Sequence, residues 1–159
     1  MRFFSVLIQI VSIWNLGCNY IPCSSTSDLD NVKVVPDASL IAGTYYPDKF
    51  TREDFKEYAN SDNISLVVRQ KGEIELVNFP NATFDSRSSP EDGRVNASGT
   101  WSMRDISGSI EMKVKLNFDK PGMSGGEYFR LFTKNKRYYI VIDFGDLDNC
   151  TSVRLEQQR

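Results

Sequence analysis

The chain has 159 residues, 19 Lys and Arg against 21 Asp and Glu, three Cys and no His. That is enough for one ordinary domain, and it excludes Ser-His-Asp and Cys-His pairs, His-ligated zinc and imidazole acid–base chemistry. With 40% hydrophobic and 25% charged residues it can bury a core, and a net charge of −2 with both signs interspersed gives no basic field for nucleic acid.

Residues 1–17 carry one cation, Arg2, then an apolar stretch from Phe3 to Trp14, then Leu16-Gly17 before Cys18, the layout of an export signal peptide. The stretch is shorter than the roughly 20 residues a membrane-spanning helix needs. Gly17-Cys18 in this setting resembles the lipobox of bacterial lipoproteins, although Asn15 and Leu16 stand where that class carries Leu and a small residue. The resemblance implies that Cys18 becomes the first mature residue and carries a lipid, and that the protein belongs to the cell envelope, facing periplasm or cell surface. A lipidated Cys18 leaves Cys23 and Cys150 as a candidate disulfide; the alternative is two separate thiols. In the chain-entropy picture such a bridge contributes about 4–5 kcal/mol. Sequons at Asn63, Asn81, Asn96 and Asn149 keep a second address open, a secreted glycosylated β protein.

Residues 18–37 are polar, with Ser24-Ser25-Thr26-Ser27, Asp28, Asp30 and Pro36, and are expected to form a flexible tether ahead of a single β domain over 38–159. Strand composition runs from Ser39 to Tyr46 and stops at Pro47. Thr51 is then expected to cap a short helix ending near Ala59, with Phe50, Phe55 and Tyr58 on one face. Ile64–Gln70 and Glu73–Phe79 flank Lys71-Gly72 as a hairpin. Residues 85–93 read as a loop and Arg94–Arg104 as a strand that bends at Gly99. Ile110, Met112, Val114, Leu116 and Phe118 alternate strictly with polar residues, the signature of a strand with one wet face. A Gly-rich loop, Pro121–Gly126, precedes a hairpin of Glu127–Thr133 and Arg137–Phe144 around Asn135-Lys136, and Ser152–Glu156 is a final strand.

About eight strands joined in series by short turns, with one short helix near the beginning, predict an all-β antiparallel up-and-down barrel or curved meander; a β-sandwich is the runner-up. Trp101, Met112, Leu116, Phe118, Phe129, Leu131, Ile140, Ile142 and Phe144 form the expected inward set, bulky enough to fill a small barrel. In outline this is similar to the calycin group of ligand-binding barrels, whose lipocalins carry Gly-x-Trp on the first strand, where this chain has Gly43-Thr44-Tyr45. The chain also resembles small uncharacterised bacterial lipoproteins through Gly99-Thr100-Trp101, Tyr138-Tyr139-Ile140-Val141-Ile142, Gly145-Asp146-Leu147-Asp148 and Val153-Arg154-Leu155-Glu156. That class brings no established activity.

Few residues invite chemistry. Asp143, Asp146 and Asp148, beside Asn149, supply hard oxygens within six residues, but without the EF-hand spacing, and the simpler expectation is a self-satisfied turn. Glu73 and Glu75 share one strand face at about 7 Å, a carboxylate-pair spacing that a solvated face also explains. Pro121–Gly126 lacks the Lys and helix of a phosphate loop, and Lys134, Lys136 and Arg137 are too few for a polyanion. Tyr45, Trp101, Tyr128 and Tyr138 are the candidate ligand-stacking residues. The expectation is a membrane-tethered, non-enzymatic β-barrel without cofactor, binding a small amphipathic or apolar ligand or a protein partner; the alternative is a carboxylate-based hydrolase on the same scaffold.

Overall fold

The computed structural model describes residues 24–59, 63–85, 87–88, 93–144 and 151–158. Its strands are β1 (Asp30–Asn31), β2 (Gly43–Pro47), β3 (Ser65–Val68), β4 (Glu73–Pro80), β5 (Arg94–Ile106), β6 (Ser109–Phe118), β7 (Ser124–Lys134), β8 (Arg137–Asp143) and β9 (Ser152–Gln157). From β2 to β9 each strand pairs antiparallel with the next, and β9 returns to β2 through Tyr46↔Glu156, so eight strands close an up-and-down barrel. The expected barrel is therefore present, and the sandwich is not.

Alternation decides which side chains face inward. On β6, Ile110, Met112, Val114 and Leu116 are buried while Lys113, Lys115 and Asn117 are exposed. The whole expected inward set lies in the core or packs against it. Turn chemistry sets the register: Gly72 has φ 82°, and Asn135 and Lys136 have φ 52° and 64°, the pair of positive values that a two-residue hairpin turn requires. Gly99 is needed for a different reason. A Cβ built there would lie 1.9 Å from the Lys115 carbonyl oxygen, because β5 and β6 approach closely at that point.

Both ends of the barrel are plugged. At the lower end, where β2 finishes and β9 begins, helices α2 (Lys49–Asp54) and α3 (Lys56–Ala59) lead into a chain of rings. Phe144, Phe55, Tyr58, Phe79, Phe84 and Phe118 follow one another with centroids 5.2–6.4 Å apart. The Tyr58 hydroxyl meets that of Thr83 at 2.5 Å. At the upper end the one-turn helix α1 (Ala38–Ile41) buries Ile41, whose carbonyl accepts the Tyr45 hydroxyl at 2.6 Å. Gln157 Nε2 donates to the Leu40 and Ala42 carbonyls at 2.9 and 3.1 Å, tying the last strand to this plug.

Four local expectations are corrected. Residues 38–41 are helical rather than strand, because Asp37 Oδ1 accepts both the N–H and the hydroxyl of Ser39 and turns the chain before β2. Asp48, not Thr51, caps α2, accepting the Thr51 N–H at 2.9 Å. The Thr51 hydroxyl instead accepts the Arg154 N–H and donates to the Arg154 carbonyl, acting as a strand neighbour for β9. Third, the expected tether is held against the barrel from Ser24 onward: β1 adds to β7 through Asp30↔Thr133 and Asn31↔Phe132, and Val32 enters the core. β7 also begins at Ser124, inside the stretch expected to be a Gly-rich loop.

Candidate functional site

The four candidate ligand residues do not form one site. Tyr45 lies in the core, with the partly buried Trp101 and Tyr138 packed against it on the inward face, whereas Tyr128 points outward beneath the Arg104 guanidinium, 4.0 Å from its ring centroid. Trp101 also donates its indole N–H to the Arg69 carbonyl at 3.0 Å. Burial raises the Tyr45 hydroxyl far above its ordinary pKa. Tyr45, Leu66, Leu76, Met112, Phe129 and Ile140 have zero accessible surface, so no water-sized void borders them. The barrel interior is packed where a calycin-like ligand would sit.

The acidic residues are dispersed. Asp143 gives its two oxygens to Arg130 Nη2 and Nε at 2.6 and 2.7 Å, while Asp146 and Asp148 lie outside the described residues. Among the described residues no three acidic, Cys or His side chains converge as metal ligands. Glu73 and Glu75 face outward from β4, and Glu75 pairs with Arg69 at 3.1 Å. Glu127, not singled out in the sequence, lies on the inward side of β7 beside Gly125, and burial raises its carboxyl. Its position two and four residues before Phe129 and Leu131 was the available signal.

Cys18, Cys23 and Cys150 lie outside the described residues, as does the Asn149 sequon. Among the other sequons, Asn81 is fully buried and donates its amide to Ser88 Oγ at 2.6 Å. Asn96 donates to Asp119 Oδ2 at 2.8 Å and accepts the Asn78 N–H, and Asn63 is exposed. Of the basic turn, Lys134 pairs with Asp28 and Arg137 with Glu156.

The most constructed polar arrangement is on the outer face of β7–β9, under the N-terminal segment. Arg154, 4% exposed, gives Nη1 to Asp28 Oδ1 at 2.8 Å and to the Ser25 carbonyl at 3.0 Å, and Nη2 to Asp48 Oδ2 at 2.8 Å. Its guanidinium carbon lies 4.9 Å from the Phe50 ring centroid and 5.8 Å from that of Tyr139. Nε is buried without a described partner. The hydrogen bond from Lys134, joined by Arg154, holds the Asp28 carboxyl below its ordinary value. Burial pushes Asp48 up, against the Thr51 N–H and Arg154. Burial and the nearby Glu156 raise the Tyr139 hydroxyl to about 12. Leu29, Phe132, Tyr139 and Val141 make a small apolar cluster beside it, and a cleft of about 490 Å3 opens between Asp28, Phe50, Lys134 and Arg154. Sequence parity alone marks Arg154 as a solvated outward residue; nothing local announces the segment that covers it. Scans of this chain against protein-family models, curated proteins and solved structures each return no match.

Proposed function

We propose that this is an exported, non-enzymatic β-barrel lipoprotein of the cell envelope, tethered through a lipid on Cys18, which meets a protein partner on its outer surface. The observation that supports an outside partner over an enclosed ligand is the zero exposure of Tyr45, Leu66, Leu76, Met112, Phe129 and Ile140 on the inward face. A packed interior with plugged ends has no room for an amphiphile without unpacking, and each large core side chain displaced costs several kcal/mol, about 2–5 by analogy with truncation. The non-enzymatic reading is supported by the dispersal of the carboxylates: Glu73 and Glu75 are outward, Asp143 is neutralised by Arg130, and Glu127 stands apart from them.

Two measurements test the proposal. Metabolic labelling with an alkyne fatty acid should mark the wild type and not Cys18→Ser; equal labelling of both, or of neither, would remove the lipid anchor. An environment-sensitive fluorescent fatty acid should give no saturable signal with the purified protein. Saturable binding that quenches Trp101 would replace the outer-surface reading with an enclosed ligand site.

A further inference from the structure

Although the barrel is closed, the upper part of β5 has an edge with no strand partner among the described residues. Pairing of β4 with β5 ends at Glu73↔Thr100, and the last bond across it runs from the Trp101 N–H to the Gly72 carbonyl at 2.8 Å. β5 continues through Ser102–Ile106 paired, among the described residues, only with β6. In an antiparallel strand, the N–H and C=O of one residue point to the same side and successive residues alternate. The Trp101 N–H points toward β4, and the Asn96 carbonyl, which accepts the Asp119 N–H at 2.9 Å, points toward β6. Parity therefore directs the main-chain groups of Met103 and Asp105 away from β6, along an edge that no described strand covers.

Natural edges are blunted by bulges, prolines or charges that project along them. Here both charged side chains are drawn away from that edge, onto the β5–β6 hairpin and the neighbouring β7. Asp105 Oδ1 accepts the Gly108 N–H at 2.8 Å, while Arg104 reaches Glu111 at 3.2 Å and covers the Tyr128 ring. The position matters as well. The Ser25 hydroxyl meets that of Ser152 at 2.7 Å at the lower end, so the described N-terminal segment begins at the end opposite to this hairpin. Val34 and Leu40, the former 76% exposed, flank and form the plug at the same upper end.

We propose that the β5 edge from Ser102 to Ile106 is a strand-addition site for an extended polypeptide of a partner protein, whose main chain pairs with Met103 and Asp105. Donors and acceptors repeating every second residue, about 7 Å apart, are matched by an extended peptide backbone. The proposal rests on the reading that the partner is met outside the barrel.

The test uses the full chain and peptides selected against it from a randomised display library. Hydrogen exchange followed by NMR should show the Met103 and Asp105 amides exchanging rapidly in the free protein and slowed about tenfold or more by a saturating selected peptide. Met103→Pro removes an edge N–H and no bond to β6, so it should keep a cooperative thermal transition and lose peptide binding by about tenfold or more. Asp105→Pro repeats this at the second edge position should the first variant not fold, and the exchange measurement needs no variant. Amides already protected in the free protein, or selected peptides that bind Met103→Pro equally, would overturn the strand-edge site. Peptides that protect amides elsewhere would overturn the edge and leave an outside partner standing; a selection that yields no binder would count against both.

Discussion

Arg154 is a cation held almost out of water by two carboxylates and a carbonyl, so its worth is measured by what its loss strands. Arg154→Ala leaves Asp28 and the buried Asp48 without their shared counter-ion and should cost about 3–5 kcal/mol in urea unfolding. A loss below about 1 kcal/mol would show the network to be solvated. Asp28 also gives the molecule an acid dependence. Its carboxyl is depressed by Lys134 and Arg154, so its contribution is complete above the ordinary Asp value of about 3.9 and fades as pH falls through the lower folded value. Asp28→Asn should flatten the acid limb of a stability–pH curve below about pH 4, and an unchanged limb would discount the pairing. Gly99 is the other residue with a single physical role. Gly99→Ala forces a methyl group into the Lys115 carbonyl, and its destabilisation should reach the top of the range of about 1–3 kcal/mol usual for overpacking.

Among the elements, those announced by local chemistry were legible. Lys71-Gly72 and Asn135-Lys136 identified hairpins that the structure contains, and the strict alternation of Ile110–Phe118 gave β6 its inward and outward faces. Elements fixed by distant contacts were not. α1 is held by Gln157, which grips two carbonyls of the turn over more than a hundred residues. The N-terminal segment looked like a tether because Ser, Asp and Asn carry no periodicity, yet its polar groups find Ser152, Lys134 and Arg154 once the barrel has formed. The candidate Cys23–Cys150 bridge lies outside the described residues. A non-reducing peptide map of the natively expressed protein should contain the two cysteines in one cross-linked pair, lighter by two hydrogens than the reduced peptides; two free thiols would contradict it.

At the scale of the whole molecule, the sequence carried the barrel and most of its inward set, since both follow from a period of two. It did not carry a site. Tyr45, Trp101, Tyr128 and Tyr138 share a composition but not a surface, because aromatic content says nothing about which face of a strand a ring takes or whether a void remains beside it. The Arg154 arrangement and the open β5 edge depend on where strands end relative to their neighbours, which is set by closure of the sheet. The proposed outer-surface partner requires a barrel that is solid inside. Met112, at zero exposure, is the probe for that claim. With 13C-methyl labelling, the Met112 resonance should stay unmoved through a titration with laurate below its micellar concentration; a saturable shift would place the ligand inside the barrel and contradict it.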